Sequence, residues 1–328
     1  VLSNAWTTAG NTLASPVAVP AGETGTVSTA GSLALAGALT GGGDLVVVSH
    51  NTTGDVPLAG ASAAYAGAIR FVCTGTNPVI QTWFAGGSFN GLPLASVDLG
   101  ETAVLRPVTM ASSNLFAIGS LAGGASAVLG GGSGGPVSYN LGGLNRDDVF
   151  AGTIEPRAKL IKTGSGTLTL TGIGQHTGLT TIASGALSLS GTFTVSRVAF
   201  ATGAVLRGTG RIGGGIAAGT NAVLSPGASA GGAGTLTVSN GVALNAARLE
   251  FDLSASPAGA NDRVVLQGGT LGLTGTQSVA FRFADGHLGA GTYALIDGGA
   301  ATVASGAAFA HNLPEGTRQL FALATPPG

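Results

Sequence analysis

At 328 residues the chain is long enough for a sizeable core, yet 59 residues are glycine, only 8% are charged and the formal net charge is −1. Globular proteins usually carry about 25% charged residues, and helices draw on Lys, Glu and Arg while glycine weakens them, so a helical protein is excluded. A disordered chain is excluded by the 44% apolar share, and so is a nucleic-acid binder, which needs clustered Lys and Arg.

In chain order, the stretch Val1–Ala30 holds one charge, Glu23, and no helical period. "GSLALAG", Gly31–Gly37, follows; side chains alternate along a strand, so Leu33 and Leu35 share one face. Residues 51–138 are less regular and read as an irregular or inserted portion packed on the rest. They contain "YAGAI" (Tyr65–Ile69), the single cysteine Cys73, the aromatic pair Trp83 and Phe84, and the turn-rich run Gly123–Pro136, which reads as a lengthened loop or bulging coil. One cysteine permits no internal disulfide. "FVCTGT" puts no cation or histidine beside it, so Cys73 is expected to be a small buried residue.

After "LGGLNRDDVFAGTIEPRAK" the pattern sharpens. "GTLTLTG" begins at Gly166, "GALSLSG" at Gly185, "GAVLRGTG" at Gly203, "GTNAVLSPG" at Gly219 and "GTLTVSNG" at Gly234, the interval shrinking slightly at each step. "GTLGLTG" starts at Gly269. Each carries a short apolar alternation bounded by glycine turns. The tail "TPPG" cannot continue a ladder, because proline lacks the N–H.

Units this short cannot bury their own apolar face and must stack to share a core. The expected fold is all-β: a right-handed parallel β-helix (a β-solenoid) of roughly 15 coils, about 70 Å long, forming one elongated domain over 1–328 with a less regular N-terminal half. Its inward ladder is expected to contain Leu33, Leu35, Leu168, Leu170, Leu187, Leu189, Leu236, Val238, Leu271 and Leu273. An antiparallel sandwich would show more hairpin signals than the Asn-Gly pairs in "FNG" and "SNG". Low charge suits stacking, since repeated like charges would face each other coil after coil.

The run Leu160–Ser190, "LIKTGSGTLTLTGIGQHTGLTTIASGALSLS", resembles the autotransporter-associated β-strand repeat of large bacterial surface proteins. "GAVLRGTGRIGGG", "LEFDL", "NDRVVLQGGTLGLTG" and "GTYALIDGG" follow in the order usual for the C-terminal portion of such passengers. The likeness covers roughly residues 115 to 305. It implies a secreted β-helix in a Gram-negative envelope context, located outside the cell or on its surface. A complete autotransporter ends in a membrane β-barrel; none follows here, so the barrel was removed or the protein is a stand-alone exported relative. The start at Val1 likewise suggests a processed chain or a fragment.

Many β-helices cleave polysaccharides, so the carboxylates bear on whether this one is an enzyme. Asn145, Asp147, Asp148, Arg157 and Lys159 resemble the Asn-x-Asp, Asp-Asp and Arg-x-Lys elements of polygalacturonase-type β-helix hydrolases, where paired acids serve as acid and base. Here, however, all of them fall between Asn145 and Lys159 and in the wrong order, so Arg146, Asp147 and Asp148 are expected on a solvated turn. "GTGRIGGG" lacks the following helix of a phosphate loop. His50, His176, His287 and His311 are far apart and lack ligand spacing. Asp252, Asp262 and Asp297 lie in separate strands or turns, and the Gly/Asp nonapeptide of calcium β-rolls is absent. Trp6, Trp83 and Tyr65 could stack on sugars if exposed, but packing is the expected role. No catalytic, cofactor or metal-binding residue is therefore assigned, and an enzyme is not expected. No run nears the about 18 apolar residues of a spanning helix. The expected partners are the protein itself, joined end to end into filaments, or other envelope and extracellular matrix components, with a host- or glycan-binding adhesin as the alternative.

Overall fold

The computed structural model describes residues 2–4, 11–50, 58, 60, 64–74, 81–84, 91–107, 115–131, 135–227, 232–298, 300–303 and 307–313. Among these there is no helix, hence none long and apolar enough to cross a membrane. All the long sheets are parallel, as in a β-helix. The chain divides into two compact units, Val1–Gly178 and Leu179–Gly328.

The second unit shows the building rule plainly. Its chain passes through three strands per coil: Thr180–Ile182, Ala186–Leu189 and Thr192–Phe193, then Val198–Phe200, Val205–Gly208 and Arg211–Ile212, then Ile216–Ala218, Val223–Pro226 and Thr235–Val238. Each strand pairs with its counterpart one coil on. Thr180 pairs with Val198 and Val198 with Ile216, two equal and short steps along the chain. Ile216 then pairs with Val242, Val242 with Leu271 and Leu271 with Ala301, each step longer than the one before. Alternation sends Val198 and Phe200 inward and leaves Ala199 between them half-buried.

One backbone device recurs at the corner after the first strand of each coil. Gly185, Gly203, Asn221, Ala246 and Gly275 all take positive φ, 67°, 76°, 54°, 45° and 69°. They lie in register: Gly203 N–H donates to the Asn221 carbonyl and Asn221 N–H to that of Ala246. This left-handed column is what the periodic glycine records, because glycine adopts it without steric cost.

The first unit follows the same rule with coils of uneven length. Thr24–Thr29, Asp44–Ser49, Ala68–Cys73, Gly91–Asp98, Leu115–Ala122, Val137–Leu141 and Ala158–Lys162 pair in parallel in that order. The register between Gly91–Asp98 and Leu115–Ala122 slips between Leu92 and Ser96. A second face runs through Gln81–Phe84, Val104–Pro107, Val128–Leu129, Thr153–Ile154 and Ile173–Gly174. The stretch 51–138, expected to be irregular or inserted, therefore supplies ladder strands, including Val128–Leu129 from the turn-rich Gly123–Pro136. Residues 51–57, 59, 61–63, 75–80, 85–90, 108–114 and 132–134 of it lie outside the described residues. Low complexity hid the strands; the inward Ile69, Phe71, Leu105 and Leu129 are buried, and Leu105 pairs with Leu129 in register.

All ten inward-ladder side chains are buried, but they do not form one column. In the second unit Leu187 pairs with Leu206, Leu236 and Val238 pair with Val264 and Leu266, and Leu271 and Leu273 pair with Val242 and Leu244. Three different faces carry look-alike sequences. Any strand with an inward pair and a glycine corner reads the same, so the short step from Gly219 to Gly234 is a change of face, not a coil. "SNG" is such a corner rather than a hairpin: Gly241 has φ 90° and Asn240 Nδ2 donates to the Gly213 carbonyl of the preceding coil at 2.5 Å.

The ring-then-glycine signature also has a packing cause. Tyr65 and Phe150 are buried. A methyl group on Gly67 would collide with the Gly43 carbonyl and the Tyr65 hydroxyl; one on Gly152 would collide with the Ala127 carbonyl and the Phe150 ring. The ring folds over the glycine two residues on, leaving no room for a Cβ.

Candidate functional site

Of the charged run singled out in the sequence, Asn145–Asp148 and the neighbouring Lys162 sit at one corner of the first unit. Asn145 has φ 60°, which turns the chain so that its Oδ1 accepts the Ser165 N–H at 2.8 Å, one coil on. Asp147 Oδ1 accepts the Thr167 N–H at 2.7 Å on the same next coil. Asp148 faces the other way: Oδ1 accepts the Ser120 hydroxyl at 2.5 Å and Oδ2 the Leu121 N–H at 3.1 Å, both one coil back. Arg146 Nη1 reaches two coils back to Ser96 Oγ at 2.8 Å. Four consecutive residues thus tie four coils together.

Beneath them lies Lys162, 2% exposed and at an inward position of its strand. Its Nζ donates to the carbonyls of Thr163 at 2.5 Å and Gly164 at 3.1 Å. Burial lowers its pKa, opposed by the nearby Asp148 and Asp147 carboxylates. Arg157 and Lys159 are exposed at the other end of that strand. Glu155 pairs with Arg106 and accepts the Gly131 N–H at 3.0 Å. The expectation of a solvated turn is corrected for Asp148, which is half-buried and opens the strand Asp148–Phe150. Both aspartates are held by donors from neighbouring coils, which suits acceptors fixed in place rather than an acid–base pair around a substrate.

The strand that carries Lys162 opens a stretch recognisable by comparison. Residues 160–189 match the family model described as passenger-associated-transport-repeat. No curated protein matches the chain. The matched repeat begins at Leu160, contains Lys162, Leu168, Leu170 and His176, and ends at Leu189, the last residue of a strand.

Inside this passenger repeat, His176 is fully buried, and desolvation pulls its pKa down to about 4, so the ring is neutral. The other histidines are exposed. His50 bridges Ser28 and Thr74 of the flanking coils at 3.0 and 2.7 Å; His287 Nδ1 lies 3.0 Å from the Asp285 carbonyl; His311 Nδ1 accepts the Leu313 N–H at 3.3 Å. Among the described residues, no three His, Cys, Asp or Glu side chains gather as metal ligands would. The Tyr65 hydroxyl donates to the Gly43 carbonyl at 2.5 Å, and burial, with Asp44 nearby, pushes its pKa up to about 12; it is a core residue rather than a sugar platform. The side chains of Trp6 and Trp83 lie outside the described residues. Cys73, expected to be buried, is half-buried at a strand end.

"GTGRIGGG" forms the strand Arg211–Ile212 and two corners, where Gly213 and Gly214 lie against the Thr194 and Ser196 carbonyls. Asp297 forms an exposed pair with Arg263 at 3.8 Å. Asp252 and Asp262, by contrast, come together. Asp262 Oδ2 accepts the Asp252 N–H at 2.8 Å and Oδ1 the Gly234 N–H at 2.6 Å. Sequence reasoning missed this pair and Lys162 as buried charges. The signal was phase: Lys162 follows Ala158 and Leu160 on the inward side.

Proposed function

We propose that the protein is an extracellular structural or surface-display β-helix of a Gram-negative-type bacterium, whose few charges hold coils together instead of acting on a substrate. The match of residues 160–189 to a passenger repeat carries this reading, since that family is not an enzyme family. The corner at Asn145–Asp148 supports it, because its carboxylates are taken up by hydroxyl and amide donors of neighbouring coils. The decisive test is labelling of intact producing cells with an antibody to this chain, alongside protease shaving. Labelling before lysis and loss on shaving are expected. Signal only after lysis would overturn surface display.

Self-association into filaments is the finer part of the proposal. A net charge of −1 offers little repulsion between copies. Light scattering of the purified chain should show mass rising with concentration; a constant monomer mass would remove filaments and leave the display role.

A further inference from the structure

In the first unit, well away in the chain from Asn145–Asp148, a hydroxyl, an imidazole and a second hydroxyl line up across neighbouring coils. The strands Thr24–Thr29, Asp44–Ser49 and Ala68–Cys73 stack in parallel, with Thr29 opposite Ser49 and Ser49 opposite Cys73. The ladder runs one residue further: His50 N–H donates to the Thr29 carbonyl at 2.9 Å and Thr74 N–H to the Ser49 carbonyl at 3.0 Å. Thr29 and Ser49 are buried. Alternation therefore turns Ser28 and His50 to the outer surface, where Ser28 is half-buried and both His50 and Thr74 are exposed. The Thr74 hydroxyl donates to the Ser49 carbonyl at 3.4 Å, so toward the ring it accepts, and His50 Nδ1, 2.7 Å away, carries the proton. Nε2 is then the acceptor, and the Ser28 hydroxyl donates to it at 3.0 Å.

We propose that Ser28 is an acylation site, a nucleophile activated by His50 that takes the acyl group of an activated ester such as an aryl ester or a thioester. The arrangement has the parts such a step needs: a nucleophile bonded to a base, and a third group that orients the base. Ser28 Oγ attacks the acyl carbon as its proton passes to His50 Nε2. The bond from that carbon to the leaving oxygen or sulfur breaks, and the leaving group takes the proton. One ester gives one acyl-serine and one phenol or thiol, with no other reactant. Thr74 is a positioning residue, holding Nδ1–H so that the Nε2 lone pair faces Ser28. The leaving group must be a good one, because the adjacent His50 and Thr74 amides are spent on the ladder and do not serve a developing oxyanion. The role is covalent modification of a displayed surface rather than turnover.

Brief treatment of the full chain with p-nitrophenyl acetate, followed by peptide mass spectrometry, tests this. Ser28 should be acetylated about a hundredfold faster than Ser165, an exposed serine bonded to Asn145 rather than to a histidine. Equal rates at the two serines would overturn the proposal. His50→Gln should bring Ser28 down to the rate of Ser165; a Ser28 rate that survives this change also overturns it. Thr74→Val should slow Ser28 and Thr74→Ser should restore it, whereas a rate indifferent to both would remove Thr74 from the assignment. Should a variant fail to fold, the wild-type ratio of Ser28 to Ser165 decides alone.

Discussion

The coils from Thr180 to Ala218 and those after Ile216 are built from the same three strands, yet they differ in length. Thr180, Val198 and Ile216 follow one another at short, even intervals, whereas Ile216, Val242, Leu271 and Ala301 lie farther apart. The middle strand lengthens, from four residues in Ala186–Leu189 to six in Arg248–Leu253 and eight in Thr276–Phe283, and further residues sit between strands, most visibly in the arch Ser254–Asn261. A short coil has room for strands and glycine corners and little else; its interior is built on Val198, Phe200, Leu206 and Ile212, and its buried polar side chains are uncharged hydroxyls such as Thr180 and Ser196, 3.1 Å apart. A longer coil has slack, and that is where the buried carboxylates Asp252 and Asp262 lie. The first unit shows the same link at Gly142–Asp147, where a turn between strands holds the residues that reach neighbouring coils. Apolar columns set the coil, and polar side chains stitch where the chain departs from it.

The comparison breaks hardest in the short coils. Leu206→Asp places an unpaired charge in a fully buried column and should cost more than about 4 kcal/mol, enough to unfold the region. Leu94→Asp, at a 48% exposed position in the first unit, should change stability by less than about 0.5 kcal/mol. Circular dichroism melts of the two variants measure the contrast.

Acid should act next most strongly, through His176. Its folded pKa is depressed to about 4, so the neutral ring stabilises the fold fully above about 6.5, and this is lost as pH falls toward 4. The loss is about 3 kcal/mol at most. A wild-type melting temperature that drops across this window, with a smaller drop in His176→Gln, is the expected result.

Asp148→Ala strands the Ser120 hydroxyl and the Leu121 N–H and should cost about 2 kcal/mol, read from denaturant midpoints. The smallest effect lies in the left-handed column. Ala246 has φ 45°, and nothing in the structure explains a side chain there. Ala246→Gly should stabilise by about 1 kcal/mol, as a melting temperature a few degrees higher.

Much of this architecture was legible because a strand's inward alternation and its glycine corners are local properties. Leu168, Leu170, Leu187 and Leu189 announce their faces by phase alone. Which sheet a strand joins is not local. Leu236 and Leu271 look equivalent and lie on different faces, since the interval between paired residues drifts from one coil to the next. The left-handed column was readable at Gly185 and Gly203 and hidden at Asn221 and Ala246, where the conformation persists without the residue that signals it. At Asn145–Asp148 the sequence showed the charges but not their use. Their partners, Ser96, Ser120, Leu121, Ser165 and Thr167, are distant in the chain and ordinary in kind.

The central claim is that carboxylate and amide side chains here serve as fixed acceptors between coils. Residue-resolved hydrogen exchange at pH 7 tests it most directly, at the Leu121, Ser165 and Thr167 amides. Each should exchange as slowly as ladder amides such as those of Tyr139 and Leu160. Exchange at the rate of open turns would contradict it and return Asp147 and Asp148 to the pool of groups available for chemistry.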